Sequence, residues 1–303
     1  LRTLCGAARC CTTLLSTIRS MELSGVWVAA VADDDVRRTG IGLDTDDSTW
    51  TPVPVPGHWR NTAEFRDTDG PVMYRHAFTA TPPPDGRRRW ITLDGVFYQA
   101  DVWLDGAYLG DPEGYFFPHT FDVSMLSRFA DDHVLAVEVT CSPQTSTTGR
   151  RNITGVFQSP TSTANPGGLW RPVRCFDTGP VRVDRLRVLC RDADERRAHL
   201  RIAARFDSDR EAAVTIRTSI GGDVSDESQL VVAAGQNEIE WNVDITDPAL
   251  WWPRALGEQP LVDVTVEVMI DGAMSDRRER RTGLRQITWD NWQCTVNGER
   301  LFL

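Results

Sequence analysis

The chain has 303 residues, with 33 basic residues against 43 Asp plus Glu, five His and a formal net charge of −10. A hydrophobic share of 41% with 25% charged residues belongs to a folded globular protein, not to a disordered or collagen-like chain. No apolar run reaches the ~18–20 residues of a membrane helix. An acidic chain without a basic block is also a poor partner for nucleic acid, whose phosphates need clustered Lys or Arg.

Every basic residue is Arg, which excludes a Schiff-base or P-loop lysine. The seven Cys stand at 5, 10, 11, 141, 175, 190 and 294. Their number is odd and none forms C-x-x-C, so neither a disulfide framework nor a zinc site is encoded. Reduced, mostly buried thiols are expected, with no metal and no cofactor.

In chain order, residues 1–20 carry three Arg and no acid. Thr12 to Ile18 is too short an apolar core for a signal peptide. The segment reads as an unstructured leader or an upstream extension ahead of Met21, and a cytoplasmic location is expected. From Met21 the pattern has period two. Val102 and Leu104 alternate with polar neighbours, and Asp105-Gly106 signals a hairpin turn into Ala107-Tyr108-Leu109. Leu135, Val137 and Val139 alternate with Ala136, Glu138 and Thr140. Val123 to Phe129 has room for one or two helical turns, and no twelve-residue stretch keeps a 3.6 period. The protein is therefore expected to be all-β.

A boundary is expected near Gly179-Pro180. Before it, long loops rich in Pro, Gly and aromatics suit a jelly-roll sandwich over residues 21–180. After it, strands are short and regular. Leu200, Ile202, Ala204 and Phe206 share one face, Val214, Ile216 and Ile220 another, and Val262 to Ile270 alternate into the turn Asp271-Gly272. An immunoglobulin-like β-sandwich is expected over 181–283.

Catalytic motifs are missing: there is no G-x-S-x-G, no H-E-x-x-H and no G-x-x-x-x-G-K. The five His lack ligand spacing. Aromatic faces stack on sugar rings, whose axial C–H bonds offer an apolar patch to a π face. Trp27, Trp90 and Trp241 fall in strand patterns and read as core. Trp59 and Trp170 fall in loops and are the candidate ligand contacts, although core packing is the competing reading for each.

Several stretches together resemble the non-catalytic N-terminal half of glycoside hydrolase family 2. Val55-Pro56-Gly57-His58-Trp59 is similar to "VPG.W", and Met73 to Phe78 to "WYRR.F". Gly95 to Gly110 resembles the jelly-roll strand pair, and Gly114-Tyr115-Phe116-Phe117-Pro118 resembles "GGY.PF". Gly167 to Val173 is similar to "SGIWR.V". Leu250-Trp251-Trp252-Pro253 with Gln259-Pro260-Leu261 is similar to "LWWP…G.QPLY". Gly283-Leu284-Arg285 and Val296-Asn297-Gly298 resemble "GFR…VNG".

The resemblance implies a galactose-binding-like jelly roll, an immunoglobulin-like sandwich and then a (β/α)8 barrel, with residues 284–303 as the truncated start of that TIM barrel. Family members are retaining enzymes with two Glu about 5 Å apart. Both lie in the barrel, so no catalytic residue is expected here. Asn237-Glu238 imitates the acid/base pair but precedes a sandwich strand and is rejected. Some β-galactosidases of the family carry an active-site Asp before "SGIWR". Here Thr161 to Pro166 holds no acid, and Asn165 is the nearest polar candidate.

The function expected is the N-terminal portion of a glycosidase acting on a β-galactoside, β-mannoside or β-glucuronide. The partners implied are a carbohydrate and the protein's own barrel, with homo-oligomerisation left open. Two other readings compete, a stand-alone carbohydrate-binding or adhesion protein and a purely structural sandwich pair. In the second domain one of Trp251 and Trp252 must pack inward, and Trp252 is taken as that residue.

Overall fold

The computed structural model describes residues 20–141 and 166–302. They form two compact units, one running to Thr178 and the other starting at Gly179.

The first unit contains β1 (Ser20–Glu22), β2 (Gly25–Val31), α1 (Asp34–Thr39), β3 (Thr51–Val55), β4 (Val72–Thr79), β5 (Arg88–Leu93) and β6 (Val96–Phe97). It continues with β7 (Gln99–Leu104), β8 (Ala107–Gly110), β9 (His119–Asp122), β10 (Asp132–Thr140), β11 (Gly168–Leu169) and β12 (Val173–Thr178). A four-stranded sheet β1-β12-β5-β9 faces a six-stranded sheet β3-β2-β4-β10-β7-β8 in a jelly-roll sandwich. Between them lie Trp27, Tyr74, Ile91, Leu93, Val102, Leu104, Leu135 and Val137, each at most 1% exposed. Asp105 and Gly106 take φ of 52° and 81° between β7 and β8, the left-handed pair of a two-residue hairpin.

The outer face of β10 departs from the simple alternation. Ala136 and Glu138 read as solvent-facing, yet both are buried. The cause is α1, which lies over that face with Val36, Ile41 and Trp50 packed on Met73 and Ala136. Asp33 caps the helix by accepting from the Asp35 and Val36 amides at 3.0 and 2.9 Å. Arg37 grips Glu138 with three hydrogen bonds of 2.8–3.2 Å. Buried Arg75 ties the following loop down through Asp47 at 2.9 Å and the Gly42 carbonyl at 3.0 Å. Farther on, Val123 to Phe129 holds one 3-10 turn, Leu126–Arg128.

The second unit comprises β13 (Val181–Ala193), β14 (Arg197–Ser208), β15 (Ala212–Ile220), β16 (Asp223–Val232), β17 (Gly235–Thr246), β18 (Val262–Ile270) and β19 (Ala273–Thr282). The sheets β13-β14-β17 and β16-β15-β18-β19 make a seven-stranded immunoglobulin-like sandwich. Its core includes Leu200, Ile202, Phe206, Val264, Val266 and Val268, all at 0% exposure.

Edge strands β13 and β19 meet through side chains. Ser275 Oγ accepts from the Val181 amide at 3.0 Å and donates to the Val181 carbonyl at 2.7 Å. Asp276 accepts from the Val183 amide at 2.7 Å. Arg278 and Arg280 donate to the carbonyls of Val183 and Leu186 at 3.0 and 3.3 Å.

A small sheet β20 (Ile287–Asp290), β21 (Gln293–Val296) and β22 (Glu299–Leu301) follows. Asn297 and Gly298, with φ of 50° and 85°, form its second turn. Asn297 Nδ2 donates to the Trp251 carbonyl at 3.0 Å. Trp251 and Trp252 are both half-buried. Trp251 is the more constrained of the two: its ring lies against Gly283 and under the Arg285 guanidinium at 4.6 Å. The inward role expected of Trp252 thus falls more on Trp251.

Candidate functional site

The sequence-selected Trp59 begins a 3-10 turn, Trp59–Asn61, and is 1% exposed. Its indole is wedged between glycines: a Cβ on Gly167 would lie 2.0 Å from the ring and one on Gly70 2.8 Å. The Nε1–H donates to the Thr68 carbonyl at 3.2 Å. The residue therefore fills the core and presents no face to solvent. That slot explains the glycine at the head of Gly167-Gly168-Leu169-Trp170, since any side chain there would displace the indole.

Trp170 is half-buried at the end of β11. Its Nε1–H donates to the Tyr115 carbonyl at 3.0 Å, and Arg171 covers one ring face at 4.3 Å. Phe116 meets it edge-on at 6.0 Å. From there ring contacts run on: Phe116 to Tyr115 at 4.2 Å, Tyr115 to Phe97 at 4.9 Å and Tyr115 to Tyr98 at 6.0 Å. Phe116 and Phe117 are 61% and 70% exposed. Nearby, His58 Nδ1 donates to the Pro166 carbonyl at 2.5 Å, which pins the chain just before Gly167. Asn165 itself lies outside the described residues.

This rim continues onto the outer side of β7. Residues 111–114 run along that strand, with Gln99 bridged to Glu113, the Ala100 amide on the Pro112 carbonyl and the Gly114 amide on the Tyr98 carbonyl. Glu113 accepts from the Tyr98 hydroxyl at 2.6 Å and from Gln99 at 3.2 Å. Asp101 accepts from Tyr108 at 2.9 Å. These carboxylates hold the phenolic protons: Tyr98 is raised by Glu113, and Tyr108 is pushed up to about 12 by Asp101. The sequence alone did not single out these residues. The aromatics of the "GGY.PF" stretch were visible, but the tyrosine–carboxylate pairs depend on register.

The arrangement offers exposed ring faces and fixed hydrogen-bond acceptors. Among the described residues no group of three or more His, Cys, Asp or Glu is placed to hold a metal. The Asn237 side chain is spent on its own turn, bonded to the Ala233 amide and carbonyl at 2.9 and 2.8 Å.

Two family sequence models match in tandem. Residues 46–171 match the "Glycosyl hydrolase 2 galactose-binding domain-like" model, and residues 181–285 match "Glycosyl hydrolases family 2". The chain is 26% identical over 246 residues to an exo-beta-D-glucosaminidase of Hypocrea jecorina, covering 75% of this chain and 27% of that protein. It is 23% identical over 313 residues to the beta-glucuronidase of Canis lupus familiaris, covering 93% and 47%. The chain thus spans about a quarter to a half of these curated relatives. In fold it is similar to a beta-glucuronidase from glycoside hydrolase family 2, with a TM-score of 0.78 and 18% identity over 94% of this chain and 32% of that one. It is similar as well to the Amycolatopsis orientalis exo-chitosanase CsxA, with a TM-score of 0.77 and 18% identity over 93% and 36%. With a galactose-binding-like jelly roll and an immunoglobulin-like sandwich in the order in which both models match, the chain belongs to glycosyl hydrolases family 2.

Proposed function

We propose that this chain is the non-catalytic N-terminal portion of a retaining β-glycosidase. In this reading a barrel beyond residue 303 supplies both glutamates and hydrolyses a terminal β-linked sugar. The observation that carries it is the tandem of both family domains in a chain spanning only 27–47% of the relatives described above. The two units bind and position, and the chemistry lies elsewhere: a retaining mechanism needs two carboxyl groups about 5 Å apart flanking the scissile bond. The names of the relatives extend the substrate classes to β-glucosaminides beside β-glucuronides and β-galactosides.

The test compares the 303-residue chain with the product of the same reading frame extended downstream. Both are assayed with chromogenic β-galactoside, β-mannoside, β-glucuronide and β-glucosaminide. The extended product should turn over at least one of them, while the 303-residue chain should not exceed a heat-killed control. Activity in the short chain refutes the assignment of catalysis to the barrel. A stop codon directly after Leu303 in the native message, with saccharide binding retained, establishes the stand-alone binding protein instead.

A further inference from the structure

The outer face of the sheet β13-β14-β17 carries charges sorted by strand. Register puts Arg185, Arg205 and Glu238 in one row across it, and Arg187, Ala203 and Glu240 in the next. Arg185, Arg187, Glu238 and Glu240 are exposed, alternating with buried Leu186 and half-buried Ile239, so all four project outward. Same-face residues along a strand lie about 7 Å apart and neighbouring strands about 4.8 Å apart. Two cations therefore stand along β13, and two anions stand along β17 about 10 Å away across β14. On β14 the side chains are drawn down to either edge: Arg205 Nε donates to Asp184 at 2.6 Å, and Arg201 Nε donates to Glu240 at 2.9 Å. Ala203 lies between them and adds only a methyl group to the middle of the face.

The pattern is not settled within one copy. None of the hydrogen bonds or ion pairs among the described residues involves the side chains of Arg185, Arg187 or Glu238. Arg185 stands directly opposite another cation, Arg205, an arrangement that destabilises a strand pair. Both Arg201 bonds to Glu240 fall on Oε2, which leaves Oε1 open. A two-fold axis along β14 resolves all of this. Turning a twisted sheet over about its central strand reproduces the same saddle, so two such faces stay parallel, and strand direction and row are both kept. The β13 strand of one copy then lies over β17 of the other. Arg185 meets Glu238, Arg187 meets Glu240, and Ala203 meets its own copy at the axis. Each ion pair occurs twice, as an isologous interface requires.

We propose that this face is a self-association surface whose partner is a second copy of this chain, paired about a two-fold axis along β14 through Arg185–Glu238 and Arg187–Glu240 ion pairs. The length of β14 by the width of three strands gives roughly 450 Å² per copy, about half of the ~800 Å² per partner of a standard interface. The dimer is thus weak, and its specificity comes from charge register rather than apolar area. The inference goes beyond the glycosidase reading and uses none of it.

The test is sedimentation equilibrium of the full chain at concentrations up to about 0.5 mM in 150 mM NaCl, where the overall charge of −10 acts only over about 8 Å. The parent should show a monomer–dimer equilibrium. R185E and E238R each turn two attractive contacts of the dimer into two repulsive ones. Each should weaken association at least tenfold, given about fivefold for one charge pair in contact in water. An equimolar mixture of the two variants should recover the parent's dimer. In the mixed pair each reversed side chain faces its opposite, and the unaltered Glu238 of one copy faces the unaltered Arg185 of the other. A parent that stays monomeric, a dimer indifferent to R185E and E238R, or a mixture that fails to recover it overturns the proposal. E238R also makes the chain less negative overall, so tighter association of that variant would place the effect in net charge rather than register and overturns it too. Unchanged urea midpoints verify that the variants fold. If a reversal unfolds the chain, Arg185→Gln and Glu238→Gln carry the same comparison, each with at least a fivefold loss expected and no loss overturning the proposal. Turnover by the extended product remains the separate test of the glycosidase reading, whatever the state of this face.

Discussion

Arg89 and Asp177 sit directly opposite each other on β5 and β12. Their side chains, 6% and 4% exposed, form a two-pronged pair with Nε–Oδ1 at 2.8 Å and Nη2–Oδ2 at 3.0 Å. Desolvating both ions costs several kcal/mol each, and the pair repays this only while both members are present. Replacing Asp177 with Ala strands a guanidinium in the sandwich. We expect a loss of about 3–5 kcal/mol, or a melting temperature lower by roughly 6–20 °C for a unit of this size. The double variant Arg89→Met with Asp177→Leu removes both charges and fills similar volume, so it should lie within about 1 kcal/mol of the parent. Urea unfolding gives the magnitudes. Amide exchange shows where they act, with protection lost in β5 and β12 but retained at Leu200 and Ile202 of the second unit. A loss below about 1 kcal/mol for Asp177→Ala, or a double variant no better than the single one, refutes this account of the buried pair.

Four further outcomes are expected. Gly167→Ala should cost about 1–3 kcal/mol by overpacking, because its new methyl would stand 2.0 Å from the Trp59 ring; an unshifted urea midpoint would show that the slot is loose. Trp251→Ala should lower the second unit's urea midpoint more than Trp252→Ala, since the Trp251 ring packs against Gly283 and under the Arg285 guanidinium. Burial raises the Asp276 carboxyl, so the native state binds its proton more tightly than the unfolded chain. Its contribution to stability is full below the unfolded carboxylate pKa and is lost as pH rises through the raised native value. The stability difference between parent and Asp276→Asn should follow that slope, and a flat difference from pH 3 to 7 would contradict it. Trp292, 98% exposed, should tolerate Ser within about 0.5 kcal/mol in the same unfolding experiment.

The strands were legible because one face of each is buried and the other is not, as at Leu200, Ile202, Ala204 and Phe206, all at most 3% exposed. The same rule failed where a second layer was added. Six residues of α1 make under two turns, too few to display a 3.6 period. Its signals were instead electrostatic: Asp33 as cap, Asp34 and Asp35 in the first turn, Arg37 and Arg38 in the last. Once α1 is in place, the burial of Glu138 follows from Arg37. Trp59 was misread for a related reason. It stands in a Pro-rich stretch that reads as an exposed loop, while its slot is built by Gly70 and Gly167 from distant parts of the chain. The tyrosine–carboxylate pairs were likewise invisible, because Tyr98 meets Glu113 only after 111–114 has paired with β7.

The sequence of β19, Ala-Met-Ser-Asp-Arg-Arg-Glu-Arg-Arg-Thr, carries almost no apolar pattern, yet Ser275 and Asp276 are 2% and 5% exposed. Two sheets that close into a sandwich leave edges whose amides and carbonyls need partners. Extending one sheet around the corner would supply them but would fix the angle between the sheets. Here polar side chains of one edge bond the backbone of the other: Ser275 serves both groups of Val181, Asp276 takes the Val183 amide, and Arg278 and Arg280 take the carbonyls of Val183 and Leu186. The polar run is therefore a closure, satisfying β13 while leaving the sheets free to pack by their apolar faces. It also uses Arg where a hydrophobic edge would invite another strand to pair.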